Sequence, residues 1–446
     1  MSALEIENAK FREENAALRL KVAKLEEKIA TLKRKKNSRN SSIPPSQDPN
    51  RSKRNTSLRK KGEKPNGGQP GHKGTTLEFT ATPDEIVDLE PDTCDNCGKS
   101  LDLDALTRGE TRQVIDIPPM HTITTEYRTY EGLCSCGCTT VAPFPAHTKP
   151  GISYGPNIEA TIAYLSVRQF ISIVRIQEFF SGVFNLSLSQ GTIQNKLRSF
   201  HEKCFDSYEA IKNELKKSKW VGTDETWITV NGKKAWFWVW RNAYAVFIVF
   251  SSNRKQQTIF DVFGNDLKQV KLVHDRYAPH FNTNAKSHQL CTAHLLRDLN
   301  GIIELSKDAW PVLFKQLLMD ALELNGKMKQ NPENTFQQEV SQIKSRAAIL
   351  LEEPPGKYKH KLRTFIEAMI KYQNYLFLYL DDPDVPPDNN ISERAIRPAK
   401  VKLKVSGQFK TQIGAEMFAR IRSVVDSTYN DGFTIFERFI QIAKLA

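Results

Sequence analysis

Three acidic residues far apart in the chain are the ones most able to do chemistry together: Asp224 in VGTDETWITV, Asp275 in VKLVHDRYAPHF and Glu393 in DNNISERAIRP. Asp224 follows the opening of a hydrophobic strand, and Asp275 follows His274 at the end of an apolar run over residues 270–273. Glu393 falls in the first turns of a predicted helix that Asp388 or Asn389 can cap. A carboxylate in or beside a buried sheet needs a cation or a metal ion as partner, because an unpaired buried charge is costly. The plain alternative is an exposed acid at a strand end, which is how Glu225 reads. Adjacent strands could bring both aspartates to one place, with Glu393 as the third carboxylate. Such a set suits phosphoryl transfer, since two divalent cations about 3.5–4 Å apart activate the attacking oxygen and stabilise the leaving one. Magnesium prefers hard oxygen ligands and keeps positions open for phosphate. Near Glu393, the cations Arg394, Arg397, Lys400, Lys402 and Lys404 form either a wall for a nucleic-acid backbone or a solvated basic face.

A second kind of chemistry is carried by cysteine. Five of the seven cysteines lie between Cys94 and Cys138, in the knuckles CDNCG and CSCGC. Two such knuckles can close a tetrahedral four-thiolate zinc site that replaces a hydrophobic core. The expected ligands are Cys94, Cys97, Cys134 and Cys136, with Cys138 as a substitute in the second pair. His121 and His147 nearby read as surface histidines. The CTAH stretch at residues 291–294 has metal-like spacing but reads first as a packed helix start.

These groups need a scaffold, and its strongest signal is Asn231-Gly232. That pair accepts the positive φ angles of a type I′ turn, so its flanks read as paired strands. Trp236, Trp238 and Trp240 alternate with Phe237 and Val239, as in a strand covered on both faces. YAVFIVFS reads as a third strand, and residues 293–380 as helical apart from EEPPGKYK.

Upstream, Leu4, Phe11, Leu18, Leu25 and Leu32 recur every seven residues, with Asn8, Asn15, Val22 and Ile29 four residues after the first four. This heptad predicts a coiled coil, and asparagines at two a positions favour a parallel dimer in fixed register. The next segment is basic, rich in Ser, Asn, Pro and Gly, and unable to form a core. Its Lys33, Arg34, Lys35 and Lys36 are expected to track phosphates. Around VRIQEFFSGVFNLSLSQGTIQNKLRSF a helix, a turn at residues 186–191 and a second helix from Thr192 resemble a helix-turn-helix, offering Gln194, Asn195, Lys196 and Arg198 to DNA. A formal charge of +13 over 446 residues favours a polyanionic partner. No stretch is apolar for long enough to span a bilayer, so a cytoplasmic, nucleoid-associated location is expected.

The motifs NSRNSSIPPS, GGQPGHKG, the two knuckles, YGPNIEATIAYLSVRQFISIVRIQEFF, TDET, DNNISERAIRP and KVSGQFKTQIGAEMFARIRS follow one another as in the IS66 family of insertion-sequence transposases, which the chain resembles over nearly its whole length. The resemblance implies a multidomain α/β protein whose ribonuclease H-like core is interrupted by a helical insertion. It also implies a DDE-type transposase whose acidic triad falls on Asp224, Asp275 and Glu393, holding two Mg2+ or Mn2+ ions, beside one structural Zn2+. The expected order is a coiled coil over residues 1–36, a basic linker over 37–80, a zinc-ribbon-like module over 81–148 and a helical DNA-binding region over 149–219. The core would occupy 220–298 and 386–446 around an insertion at 299–385. Partners implied are transposon-end and target DNA, a second copy of the chain and accessory proteins of the same element. A nuclease without strand transfer and a non-catalytic DNA-binding derivative are the alternatives.

Overall fold

The computed structural model describes residues 77–145, 148, 150–305, 308–352, 354, 360–427 and 432–445, with Gly71 and positions 12–15, 17–19, 21–22, 24–26 and 29. The chain forms two compact units, Ser52–His121 and the combination of Met1–Arg51 with Thr122–Ala446. The division falls inside the segment 81–148 that the sequence groups as one module. The described positions between 12 and 29 are helical, and the heptad residues Leu18, Val22, Leu25 and Ile29 are all exposed. Lys33, Arg34, Lys35 and Lys36 lie outside the described residues.

In the larger unit, β1 (Glu131–Leu133) and β2 (Thr139–Val141) make a short antiparallel hairpin. Four helices follow: α1 (Pro156–Ala163), α2 (Ile173–Phe184), α3 (Gln190–Lys203) and α4 (Phe205–Lys217). Asn185 ends α2 in the left-handed region at φ 50°, and Ser189 caps α3 by accepting the Thr192 N–H at 2.9 Å. The second helix of the predicted helix-turn-helix therefore starts two residues earlier than the sequence pattern suggests, because Ser189 supplies the cap.

The central sheet is built from β3 (Trp220–Val230), β4 (Lys233–Arg241), β5 (Val246–Ser251), β6 (Lys271–His274) and β7 (Ser287–Leu290). Its order is β5-β4-β3-β6-β7. The first three strands are antiparallel, while β6 and β7 run parallel to β3. Asn231 and Gly232 turn β3 into β4 at φ 46° and 72°, the type I′ geometry that the Asn-Gly pair predicts. Phe237, Trp238, Val239 and Trp240 are all buried, so β4 is covered on both faces as its composition requires.

Between β5 and β6 lies α5 (Gln256–Phe263), and α6 (Ala278–Phe281) precedes β7. An all-helical stretch follows: α7 (Thr292–Ile303), α8 (Trp310–Gln330), α9 (Gln337–Glu352), α10 (His360–Lys371) and α11 (Leu378–Asp381). Its apolar faces form a core of their own around Trp310, Phe314, Phe365 and Tyr379. The chain then returns to the sheet through α12 (Asn390–Ser406), α13 (Gln412–Asp426) and α14 (Ile435–Ala443). Helix α13 closes the free edge of β5. Ser427 Oγ accepts the Val246 N–H at 2.9 Å, and Ser423 Oγ accepts the Ile248 N–H at 2.8 Å. Those outward amides would otherwise be open to another strand.

Candidate active site

Strand register brings the two aspartates together. The parallel pairing of β3 with β6 runs from Trp220 opposite Lys271 to Gly222 opposite Val273. Two further steps of the same register set Asp224 beside Asp275, where β6 has just ended. The third acid arrives on α12, which is docked on β3 at its first turn. Asn389 Nδ2 donates to Thr223 O at 2.6 Å, and Arg241 Nη1 donates to Ile391 O at 3.4 Å. Gly222 makes this approach possible, since a Cβ there would lie 2.5 Å from Asn389 Oδ1 and 2.6 Å from Ser392 Oγ. Asn389 occupies the cap position but spends its amide on β3, and Asp388 Oδ1 accepts the Asn390 N–H at 2.9 Å.

Each acid has one oxygen held by the protein. Asp224 Oδ1 accepts the Glu225 N–H at 2.9 Å, and Asp275 Oδ1 accepts the Tyr277 N–H at 2.8 Å. Glu393 Oε1 accepts from Arg297 Nη2 at 2.6 Å and stands 3.5 Å from His294 Nε2. Among the described residues, the second oxygen of each has no partner. Burial first, and then the carboxylates of Glu225, Asp275 and Glu393, push the Asp224 carboxyl well above its ordinary range. The four acids thus repel one another in a crowded place, the condition a cation would relieve. They do not close on a common point, and among the described residues no group of three or more His, Cys, Asp or Glu does.

Glu225 departs from its reading as an exposed strand-end acid. Its side chain is 2% exposed, paired with Arg254 Nε at 2.7 Å and His280 Nε2 at 3.2 Å. Burial works against the charge, but His280 and Arg254 hold the carboxyl below its usual range. Glu225→Gln is therefore expected to cost roughly 1.5–3 kcal/mol, the scale of a lost hydrogen bond to a charged group. Urea unfolding measures it, and an unshifted midpoint would return Glu225 to the surface reading. Behind this pair, His274 Nε2 stands 2.9 Å from His288 Nδ1, and burial holds both rings below their ordinary pKa. Neither Arg254 nor these histidines carries a recognisable motif; only proximity in the fold reveals them.

CTAH divides its residues between two neighbours. Cys291 is buried just before α7, its Sγ accepts the Asn389 N–H at 3.2 Å, and burial pushes the thiol up to about 12. It is a packed helix start, while His294 belongs with Glu393.

The predicted DNA contacts are placed unequally. Arg198, Gln194 and Asn195 are exposed on α3, whereas Lys196 turns inward to Tyr154 O at 2.9 Å and Glu159 Oε2 at 3.3 Å. Arg394 and Arg397 are exposed on α12. Lys400 donates to Trp227 O at 2.9 Å over the Trp227 ring, and burial, then Lys234, lower it to about 8.

Each cysteine knuckle is a tight turn. The Gly98 N–H donates to Cys94 O at 2.9 Å with Gly98 at φ 68°, and the Gly137 N–H donates to Cys134 O at 2.8 Å with Gly137 at φ 86°. Backbone N–H groups, Cys97 first, lower the Cys94 thiol, and those of the second knuckle, Cys138 first, lower Cys136. Cys94 and Cys97 lie in the smaller unit, Cys134, Cys136 and Cys138 in the larger.

A family model described as the transposase IS66 family matches residues 151–417, and one for a family of unknown function, DUF6444, matches residues 2–78. Among curated proteins none matches. Solved structures similar to the chain include a pre-cleavage Mos1 transpososome, at 15% identity over 31% of this chain and 57% of that one, with a TM-score of 0.11. The Mos1 mariner paired end complex with Mn is similar at 16% identity over 31% and 57%, with a TM-score of 0.12. The chain thus spans 57% of the length of these two.

Proposed function

The chain belongs to the IS66 family of transposases, and from that premise we propose that it cleaves DNA strands at insertion-sequence ends and joins the freed 3′ hydroxyls to target DNA. Asp224, Asp275 and Glu393 are the acids of this DDE-type site. The observation that carries the reading is the crowding of Asp275 and Glu393, from the end of β6 and from α12, around Asp224 on β3, with one oxygen of each held by the protein. The order β5-β4-β3-β6-β7, three antiparallel strands followed by two parallel ones, supports a ribonuclease H-like core.

The crowding of Glu225, Asp275 and Glu393 around Asp224 fits divalent cations. Asp224, Asp275 and Glu393 would hold two Mg2+ or Mn2+ ions, which supply positive charge to the attacking and leaving oxygens of phosphoryl transfer. The remaining work is positional. Backbone amides of Glu225 and Tyr277 hold one oxygen of each aspartate, and Arg297 with His294 holds one oxygen of Glu393. Exposed Arg198, Arg394 and Arg397 take phosphates, with the basic arm at Lys33, Arg34, Lys35 and Lys36. The exposed heptad seam pairs with that of a second copy. Each knuckle holds two or three thiols on a tight turn, fewer than the four ligands that a structural zinc takes.

Incubating the full chain with labelled element-end DNA, unlabelled target and Mg2+ or Mn2+ tests this reading. A joined product is expected. Cleavage without joining would move the chain to a nuclease, and binding alone to a non-catalytic derivative.

A further inference from the structure

A cavity of about 330 Å³ opens beside α12, and its charge is badly unbalanced. Five arginines line it, Arg168, Arg241, Arg394, Arg422 and Arg438, against one carboxylate, Asp426, among the described residues. Asp426 is already shared: Oδ1 accepts from Arg168 Nη1 at 2.8 Å, and Oδ2 accepts from Arg422 Nη2. Arg422 is 3% exposed, yet its Nε and Nη1 find no partner among the described residues. Among the described residues, Arg241 donates only to the carbonyls of Asn242, Ala243 and Ile391. A buried guanidinium with two unsatisfied donors, as Arg422 has, is unfavourable unless an anion completes the site.

Position identifies the anion. Gly222 and Arg241 are directly opposite in the β3–β4 pair, so Arg241 shares a sheet face with Gly222 and Asp224. Arg394 immediately follows Glu393 on α12 and stands exposed at the cavity. None of Asp224, Asp275 and Glu393 lines the cavity, so an anion bound here is held by the arginines and not by the acids. Guanidinium pairs match phosphate oxygens in a bidentate fork. We propose that the cavity holds one phosphate group of the DNA strand whose neighbouring phosphodiester is presented to Asp224, Asp275 and Glu393. The assignment rests on the transposase reading and adds to it a residue-level anchor for the strand.

The test uses full-length protein in EDTA, so that no step depends on catalysis. Inorganic phosphate titrated calorimetrically should bind saturably, and a short single-stranded oligodeoxynucleotide should displace it. Arg394→Gln, at the exposed edge, should weaken phosphate about tenfold, the scale of one charge-assisted hydrogen bond. Asp426→Asn should strengthen binding several-fold, because it releases two guanidiniums from a competing carboxylate. A purely structural Asp426 would give the opposite sign. Absent saturation, indifference to Arg394→Gln, or weakening by Asp426→Asn in a protein with unchanged circular dichroism would each overturn the site. Phosphate binding that no oligonucleotide displaces would overturn its assignment to DNA. Asp224→Asn protein should bind phosphate as wild type does, so loss of catalysis and loss of the anchor are read separately.

Discussion

Asp224→Asn, Asp275→Asn and Glu393→Gln are each expected to lower cleavage and joining by about 10³-fold or more, while binding to element ends survives. The amide keeps the shape and removes the charge. Because the three acids act as a unit, the triple variant should be no worse than the worst single one. Asp388→Asn is the control: Asp388 Oδ1 accepts the Asn390 N–H at 2.9 Å, a bond an asparagine oxygen can also accept, so the change should cost little stability and little rate. Full activity in Glu393→Gln with none in Asp388→Asn would transfer the third position to Asp388.

The same variants should separate function from stability. Burial and three nearby carboxylates raise the Asp224 carboxyl well above its ordinary value of 3.8, so folding favours the neutral form. The resulting penalty is absent well below that value and grows as pH rises through and above it. At neutral pH without divalent metal, Asp224→Asn should therefore unfold at a higher temperature than wild type, and the gain should vanish near pH 3. Added Mg2+ should stabilise wild type more than the variant, since a ligand stabilises the state that binds it. A variant that is less stable than wild type at pH 7 in EDTA would show that Asp224 is not held against its neighbours' charge.

What could be read from the chain alone was what local rules encode. Asn231-Gly232 specifies its turn, the alternation from Trp236 to Trp240 specifies a doubly covered strand, and the apolar run before Asp275 specifies the strand that ends just before it. Partnerships between distant residues left no local trace. Lys196 lies on a helix face that looks ready for DNA, yet it is taken by Glu159 from α1. Glu225 looks like any charged strand residue until Arg254 and His280 arrive from beyond β5 and β6. In the arginine cavity, the spacing of Arg422 and Asp426 is legible as a helical pair, but Arg168 and Arg241 join it only through the packing of α13 on β5. Asp275 and Glu393 sit at element ends that sequence punctuation marks, whereas Asp224 lies inside β3.

Gly222→Ala is expected to reduce cleavage and joining by about 10²-fold without touching a charged group, the cost of misplacing a catalytic element by roughly 1 Å. The new Cβ would meet Asn389 Oδ1 at 2.5 Å and Ser392 Oγ at 2.6 Å. Neither neighbour can easily swing aside. Asn389 is 1% exposed, with its side chain bonded to Thr223 O and its backbone N–H to Cys291 Sγ, and Ser392 is fully buried. The start of α12 must therefore retreat from β3, and Glu393, the residue after Ser392, retreats with it. Overpacking of this kind costs about 1–3 kcal/mol in stability, so the protein should still fold and bind DNA. Among the described residues Ser392 Oγ has no hydrogen-bond partner, so Ser392→Ala alone should cost little. Combined with Gly222→Ala it removes one of the two clashes, and it should return part of the lost rate. Unchanged strand transfer in Gly222→Ala would mean that Glu393 is not positioned through this contact. A rate loss that Ser392→Ala does not relieve would assign the damage to β3 instead of to the docking of α12.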